Sequence, residues 1–116
     1  MSVGSESFLR ALAKAELKPV YLIAGPEALL VQECCDALRS RLRESGYSER
    51  IVLETDDGGF SWDELQHQGA SMSLFAARRV LDLRLPTGKP GKEGSQAIIG
   101  YCASAPPDTV LLISCL

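Results

Sequence analysis

The sequence predicts an α/β domain, a parallel sheet flanked by helices, and three observations carry that expectation. Short apolar runs of β type, at residues 20–24, 50–54, 79–85 and 109–116, alternate with stretches of helical periodicity. Strands that alternate with helices must be joined by crossovers, and crossovers favour parallel pairing with helices on the sheet faces. Glycine and proline punctuation at Gly25, Gly46, residues 86–94 and Pro106-Pro107 marks the joints between these runs. The last run is nearly continuous apolar sequence, the pattern of a strand covered on both faces.

Taken in order, Ser5 is a plausible N-cap for a short helix whose apolar residues Phe8, Leu9, Ala11, Leu12 and Ala15 fall on one face, ending near Leu17. Lys18-Pro19 enforces extended backbone, and Val20-Tyr21-Leu22-Ile23-Ala24 follows as a first, buried strand stopped by Gly25. Pro26 suits the first turn of the next helix and Glu27 its positive end. Leu30, Cys34, Leu38 and Leu42 then recur at i, i+4 until Gly46, with Arg39, Arg41, Arg43 and Glu44 on a solvated face.

Arg50 to Glu54 is the second strand, and Asp56-Asp57-Gly58-Gly59 has turn chemistry. Ser61 with Glu64 three residues later reads as a capping box for a helix through Trp62 and Leu65 towards Ala70. In the third strand, Arg79 to Leu85, the alternation of Leu81, Leu83 and Leu85 with Asp82 and Arg84 predicts one polar face. Residues 86–94 read as a mobile loop, residues 96–103 as a short helix, and residues 109–116 as the final strand. A chain that stops on such a strand is expected to be the front part of a longer domain.

The 116 residues suit one folding unit, and 46% apolar with 23% charged residues is ordinary globular composition. A net charge of −3 without a block of Lys and Arg argues against direct phosphate contacts, so any role on DNA is expected to be indirect. No apolar stretch reaches secretory or membrane-spanning length, which predicts a cytoplasmic protein without membrane contact. Cys34, Cys35, Cys102 and Cys115 show no C-x-x-C spacing and are expected to be buried thiols, with only one of the vicinal pair pointing inward.

Catalytic chemistry finds little footing. The junction at Gly25 is where a phosphate loop would sit, yet it reads Gly25-Pro26-Glu27-Ala28-Leu29-Leu30-Val31, without the second Gly, the Lys or the hydroxyl that such a loop requires. A divergent nucleotide-binding enzyme is therefore the disfavoured alternative. His67, the sole histidine, has no triad pattern around it, and Asp56-Asp57 reads as a turn rather than a metal site. No cofactor or metal is expected. The exception to this bland picture is Met72-Ser73-Leu74-Phe75, large apolar residues in a short connection where polar turn residues are the rule. They either tuck into the core or anchor a partner.

Leu17-Lys18-Pro19-Val20-Tyr21-Leu22-Ile23-Ala24-Gly25, then Leu29-Leu30 and Glu33, then Met72-Ser73-Leu74-Phe75 with Arg78-Arg79 before a leucine-rich strand, together resemble the delta-subunit family of bacterial DNA polymerase III. The resemblance runs over nearly the whole chain. It implies an N-terminal domain of AAA+ type whose nucleotide loop has been lost, here residues 1–116 without the following lid and collar domains. It also implies that Leu74 and Phe75, supported by Met72, form a hydrophobic plug that binds the β sliding clamp and promotes ring opening. Contacts with other clamp-loader subunits would run through the domains not contained here, and the subunit would be a non-catalytic part of a polymerase holoenzyme, with ATP hydrolysed by its partners.

Overall fold

The computed structural model describes residues 17–55, 61–70, 78–85 and 91–115. Among these, strands β1 (Val20–Ala24), β2 (Glu49–Glu54), β3 (Arg79–Leu85) and β4 (Thr109–Cys115) alternate with helices α1 (Ala28–Glu44), α2 (Asp63–Ala70) and α3 (Gly91–Ala103). The strands form one parallel sheet in the order β1-β4-β3-β2, with Leu83 of β3 in register between Leu53 of β2 and Ile113 of β4. The predicted α/β class, a parallel sheet flanked by helices, is the class the chain adopts.

Sheet order decides where the helices lie. The step from β1 to β2 crosses the whole sheet in one direction, whereas β2 to β3 and β3 to β4 return in the other, so right-handed crossovers put α1 on one face and α2 with α3 on the opposite face. Strand periodicity then sorts the core into two layers. Val31, Cys34, Leu38 and Leu42 of α1 pack on Ile23, Val80, Val110 and Leu112, while Leu65 of α2 and Tyr101 of α3 pack on Leu81, Leu83, Leu111 and Ile113. β4 lies between β1 and β3 and contributes alternate residues to both layers, as its unbroken apolar run predicts.

Several expectations need correcting. β1 is buried only at Ile23: among the described residues it pairs with β4 alone, and Leu22, on the face opposite α1, is 67% exposed. Helix α1 starts at Ala28, two residues later than Pro26 suggests, and its seam uses Val31, with Leu30 exposed. Both Cys34 and Cys35 are buried, because a helix lying flat on a sheet buries a stripe wide enough to hold two adjacent positions. Cys102, in contrast, is exposed. Of the loop expected at residues 86–94, the last four residues belong to α3, where Gly91 enters in the left-handed conformation and Gly94 is buried. Packing there overrides the low helix propensity of glycine.

Helix α2 starts at Asp63, after Ser61 as expected, but not through the expected capping box: Ser61 Oγ accepts from the amide of Asp63 at 3.3 Å, and Glu64 lies in the first turn. The carboxylate of Glu64 accepts from Gln68 Nε2 at 2.9 Å. The turn expected at residues 56–59, and all of the helix expected over residues 5–17 except Leu17, lie outside the described residues. No described helix is long and apolar enough to cross a membrane.

Candidate functional site

The sequence singles out two regions, the Gly25 turn and residues 72–75, and the first of them is described. At the edge formed by the strand C-termini, Gly25, Pro26 and Glu27 join β1 to α1. Glu27 is the N-cap residue, in extended conformation and without a side-chain capping bond, and its carbonyl accepts from the amide of Val31 at 3.1 Å. A Cβ on Gly25 would sit 3.6 Å from Val31 Cγ2, an ordinary contact, so no close backbone approach demands glycine there. The turn thus puts a carboxylate residue where a phosphate loop presents lysine and converging amides.

At the other edge, where β2, β3 and β4 begin, two arginines tie the elements together. Arg79, 4% exposed, donates from its guanidinium to the carbonyl of Gln68 in the last turn of α2 and from Nε to Thr109 Oγ1 at 3.5 Å. Its amide donates to the carbonyl of Asp108 at 3.0 Å. Arg78 donates to the carbonyl of Ser45 at 2.7 Å, lies 5.7 Å over the ring of Tyr47 and 3.5 Å from Asp108 Oδ1. Asp108 itself holds a left-handed φ of 56° in the turn after Pro106-Pro107. Met72, Leu74 and Phe75 fall in residues 71–77, outside the described residues, but both ends of that connection are anchored: α2 before it and β3 after it are linked directly by Arg79.

Between the two edges, on the α1 face, lies a polar cluster that the sequence did not reveal. Asp82 is fully buried, not on a solvated strand face as its alternation with leucines predicts. Its Oδ2 accepts from Arg50 at 2.8 Å and from Arg39 at 3.2 Å, with Arg84 at 3.6 Å. Arg39 also pairs with Asp36, and Arg84 with Glu54 at 3.2 Å. Arg39 therefore faces the sheet rather than solvent, with a side chain only 17% exposed. The reason is register: Arg50 and Val52 on β2 share the α1 face with Val80 and Asp82, so guanidinium groups from helix and edge strand converge on one carboxylate.

Among the described residues, three of the four cysteines have raised thiol pKa values. Burial pushes the Cys35 thiol up to about 11, opposed by the positive charge of Arg39 and assisted by Asp82, and burial also raises Cys34 and Cys115. Thiols with raised pKa are poor nucleophiles at neutral pH. His67 is exposed on α2, as expected. Asp56-Asp57 lies outside the described residues. The burial of Arg79 escaped the sequence reading, although one signal was visible: it occupies the position where the apolar face of Leu81, Leu83 and Leu85 would otherwise continue.

Comparison with known proteins places the chain in a family. The family model described as DNA polymerase III, delta subunit, matches residues 21–116. The DNA polymerase III subunit delta of Escherichia coli (strain K12) is 30% identical over 105 residues, covering 90% of this chain and 30% of that protein. A solved structure of a Bacillus subtilis DNA clamp loader delta protein superposes with a TM-score of 0.74 at 23% identity, covering 97% of this chain and 35% of that one. The chain thus spans about a third of the length of these relatives.

Proposed function

This chain belongs to the delta-subunit family of DNA polymerase III, and from that premise we propose that it is a binding module that grips the β sliding clamp and favours its opening for loading onto DNA. The observation that carries this reading is Met72-Ser73-Leu74-Phe75, an apolar segment in the connection between α2 and β3, whose flanks are linked by Arg79. Leu74 and Phe75 act as the plug that enters an apolar pocket of the clamp, with Met72 in support.

Burying one leucine and one phenylalanine contributes about 1.5–3 kcal/mol each, enough to anchor a complex of moderate strength but not to make it tight alone. Anchoring does not open a ring. Opening requires that the module bind the open-interface clamp better than the closed one, since only a difference in affinity shifts the equilibrium. A sheet with helices on both faces supplies the rigid body for such discrimination. On this reading the module works in the cytoplasm, touches DNA only indirectly, contacts other loader subunits through parts of the polypeptide beyond this chain, and turns over no nucleotide. Glu27 and the missing lysine at the Gly25 turn favour that last point.

The test is calorimetric titration of the sliding clamp with wild-type protein and with a Leu74→Ala/Phe75→Ala variant whose folding is checked by circular dichroism. Binding by the wild type that is lost in the folded variant supports the plug. Wild-type protein that does not bind the clamp, or binding that survives the double substitution, overturns it.

A further inference from the structure

We propose that the open edge of β2 is a docking strand for an extended segment of a partner protein, one that presents a carboxylate to Arg50 and, two residues away, an apolar side chain to Val52. Among the described residues β2 pairs with β3 alone, so the backbone groups directed away from β3 have no strand beside them. Its α1 face is also uncovered. The buried layer under α1 draws on β1, β3 and β4 but on no residue of β2. The side chains that β2 sends to this face, Arg50, Val52 and Glu54, are all exposed. Val52 is the informative one: edge strands are commonly shielded by charges, and here an aliphatic residue 42% exposed stands between two of them.

Charge complementarity specifies the partner's side chain. Asp82 Oδ2 lies 2.8 Å from Arg50, 3.2 Å from Arg39 and 3.6 Å from Arg84, so three guanidinium groups share one carboxylate oxygen. Arg39 and Arg84 each have a second acid, Asp36 and Glu54. Arg50 has none: Nε and Nη2 donate to Asp82, and Nη1 has no acceptor among the described residues. The fully buried carboxylate holds Arg50 from one side while its side chain remains 42% exposed. A guanidinium fixed in this way offers a fork that matches a carboxylate, with little rotamer freedom left to lose on binding. In an added strand alternate residues share a face, so a carboxylate beside Arg50 puts the residue two positions away beside Val52. Main-chain bonds to β2 then supply affinity, and the acidic and apolar side chains supply selectivity. A nucleic-acid phosphate would match Arg50 but could not continue the backbone ladder of the sheet. The docking strand is independent of clamp binding.

The experiment titrates the full-length polypeptide that carries this sequence into the fluorescently labelled peptide Thr-Thr-Glu-Thr-Val-Thr and reads anisotropy at low salt. Saturable binding is expected, weakened about fivefold by Arg50→Met and about threefold by serine in place of the peptide's valine. N-methylation of alternate peptide amides, which leaves the protein untouched, should weaken it at least about tenfold by removing the ladder donors. A peptide that does not bind, or that binds wild type and folded Arg50→Met alike, overturns the proposal. If Arg50→Met does not fold, equal affinity for the peptide with glutamine in place of glutamate does so instead. Unchanged affinity for the N-methylated peptide overturns strand addition. Binding of single-stranded oligothymidylate that is lost in Arg50→Met, without any binding of the peptide, replaces the proposal with a phosphate ligand.

Discussion

Arg39 on α1 and Asp82 on β3, 43 residues apart in the chain, meet at 3.2 Å across the interface between helix and sheet. Arg50 reaches the same carboxylate oxygen from the edge strand at 2.8 Å, so one fully buried aspartate joins α1, β2 and β3. The opposite oxygen, Oδ1, is buried without a hydrogen-bond partner. The arrangement tolerates loss of a guanidinium better than loss of the carboxylate.

Asp82→Asn is accordingly expected to destabilise the fold by about 3 kcal/mol, the low end for breaking a buried ion pair, because the arginines remain partly hydrated. Arg84→Ala, which removes a longer and half-exposed contact, should stay within about 0.5 kcal/mol. Urea unfolding of the two variants checks this, and equal losses from both would refute the central role of Asp82.

Alkaline pH should reveal two buried acids. Burial pushes the Tyr101 hydroxyl up to about 12 and the Cys35 thiol up to about 11. Both values lie above those of the unfolded chain, so the stability linked to them is complete below about pH 9 for Cys35 and about pH 10 for Tyr101. It is lost as pH rises through about 11 and about 12 respectively. Tyr101→Phe removes a buried hydroxyl that has no hydrogen-bond partner, so at neutral pH it should leave stability unchanged or raise it by up to about 1 kcal/mol. The same variant should flatten the alkaline decline. A Tm profile from pH 7 to pH 11 for wild type, Tyr101→Phe and Cys35→Ala tests both statements.

Two leucines that look alike in the sequence should respond differently. Leu81 is fully buried between the sheet and the α2/α3 layer, whereas Leu22 is 67% exposed on the one-sided strand β1. Leu81→Ala should cost about 2–5 kcal/mol through lost burial and the cavity left behind, and Leu22→Ala less than about 1 kcal/mol. Chemical denaturation midpoints at unchanged m-value report the comparison.

Much of the architecture was legible before any coordinates, because periodicity is a local property of the chain. The strand runs, the helix that follows Ser61 and the doubly covered final strand all follow from the spacing of apolar and breaker residues. Misreadings arose where a side chain's surroundings come from distant segments. Asp82 alternates with leucines as a solvent-facing residue would, and only the approach of Arg39 and Arg50 makes its burial tolerable. Cys34 and Cys35 share the interior because α1 lies flat on the sheet, a fact absent from helical spacing.

By itself, the sequence determined the α/β class, most element positions and the apolar segment Met72-Ser73-Leu74-Phe75, since each depends on residues close together in the chain. Tertiary structure alone decided that β1 is an edge strand among the described residues, that Asp82 is the buried centre of an arginine cluster, and that Arg79 joins the end of α2 to β3 and β4. Sheet order and register bring these groups together across dozens of residues, and burial then converts ordinary charges into costly ones that persist only where partners from other elements meet them.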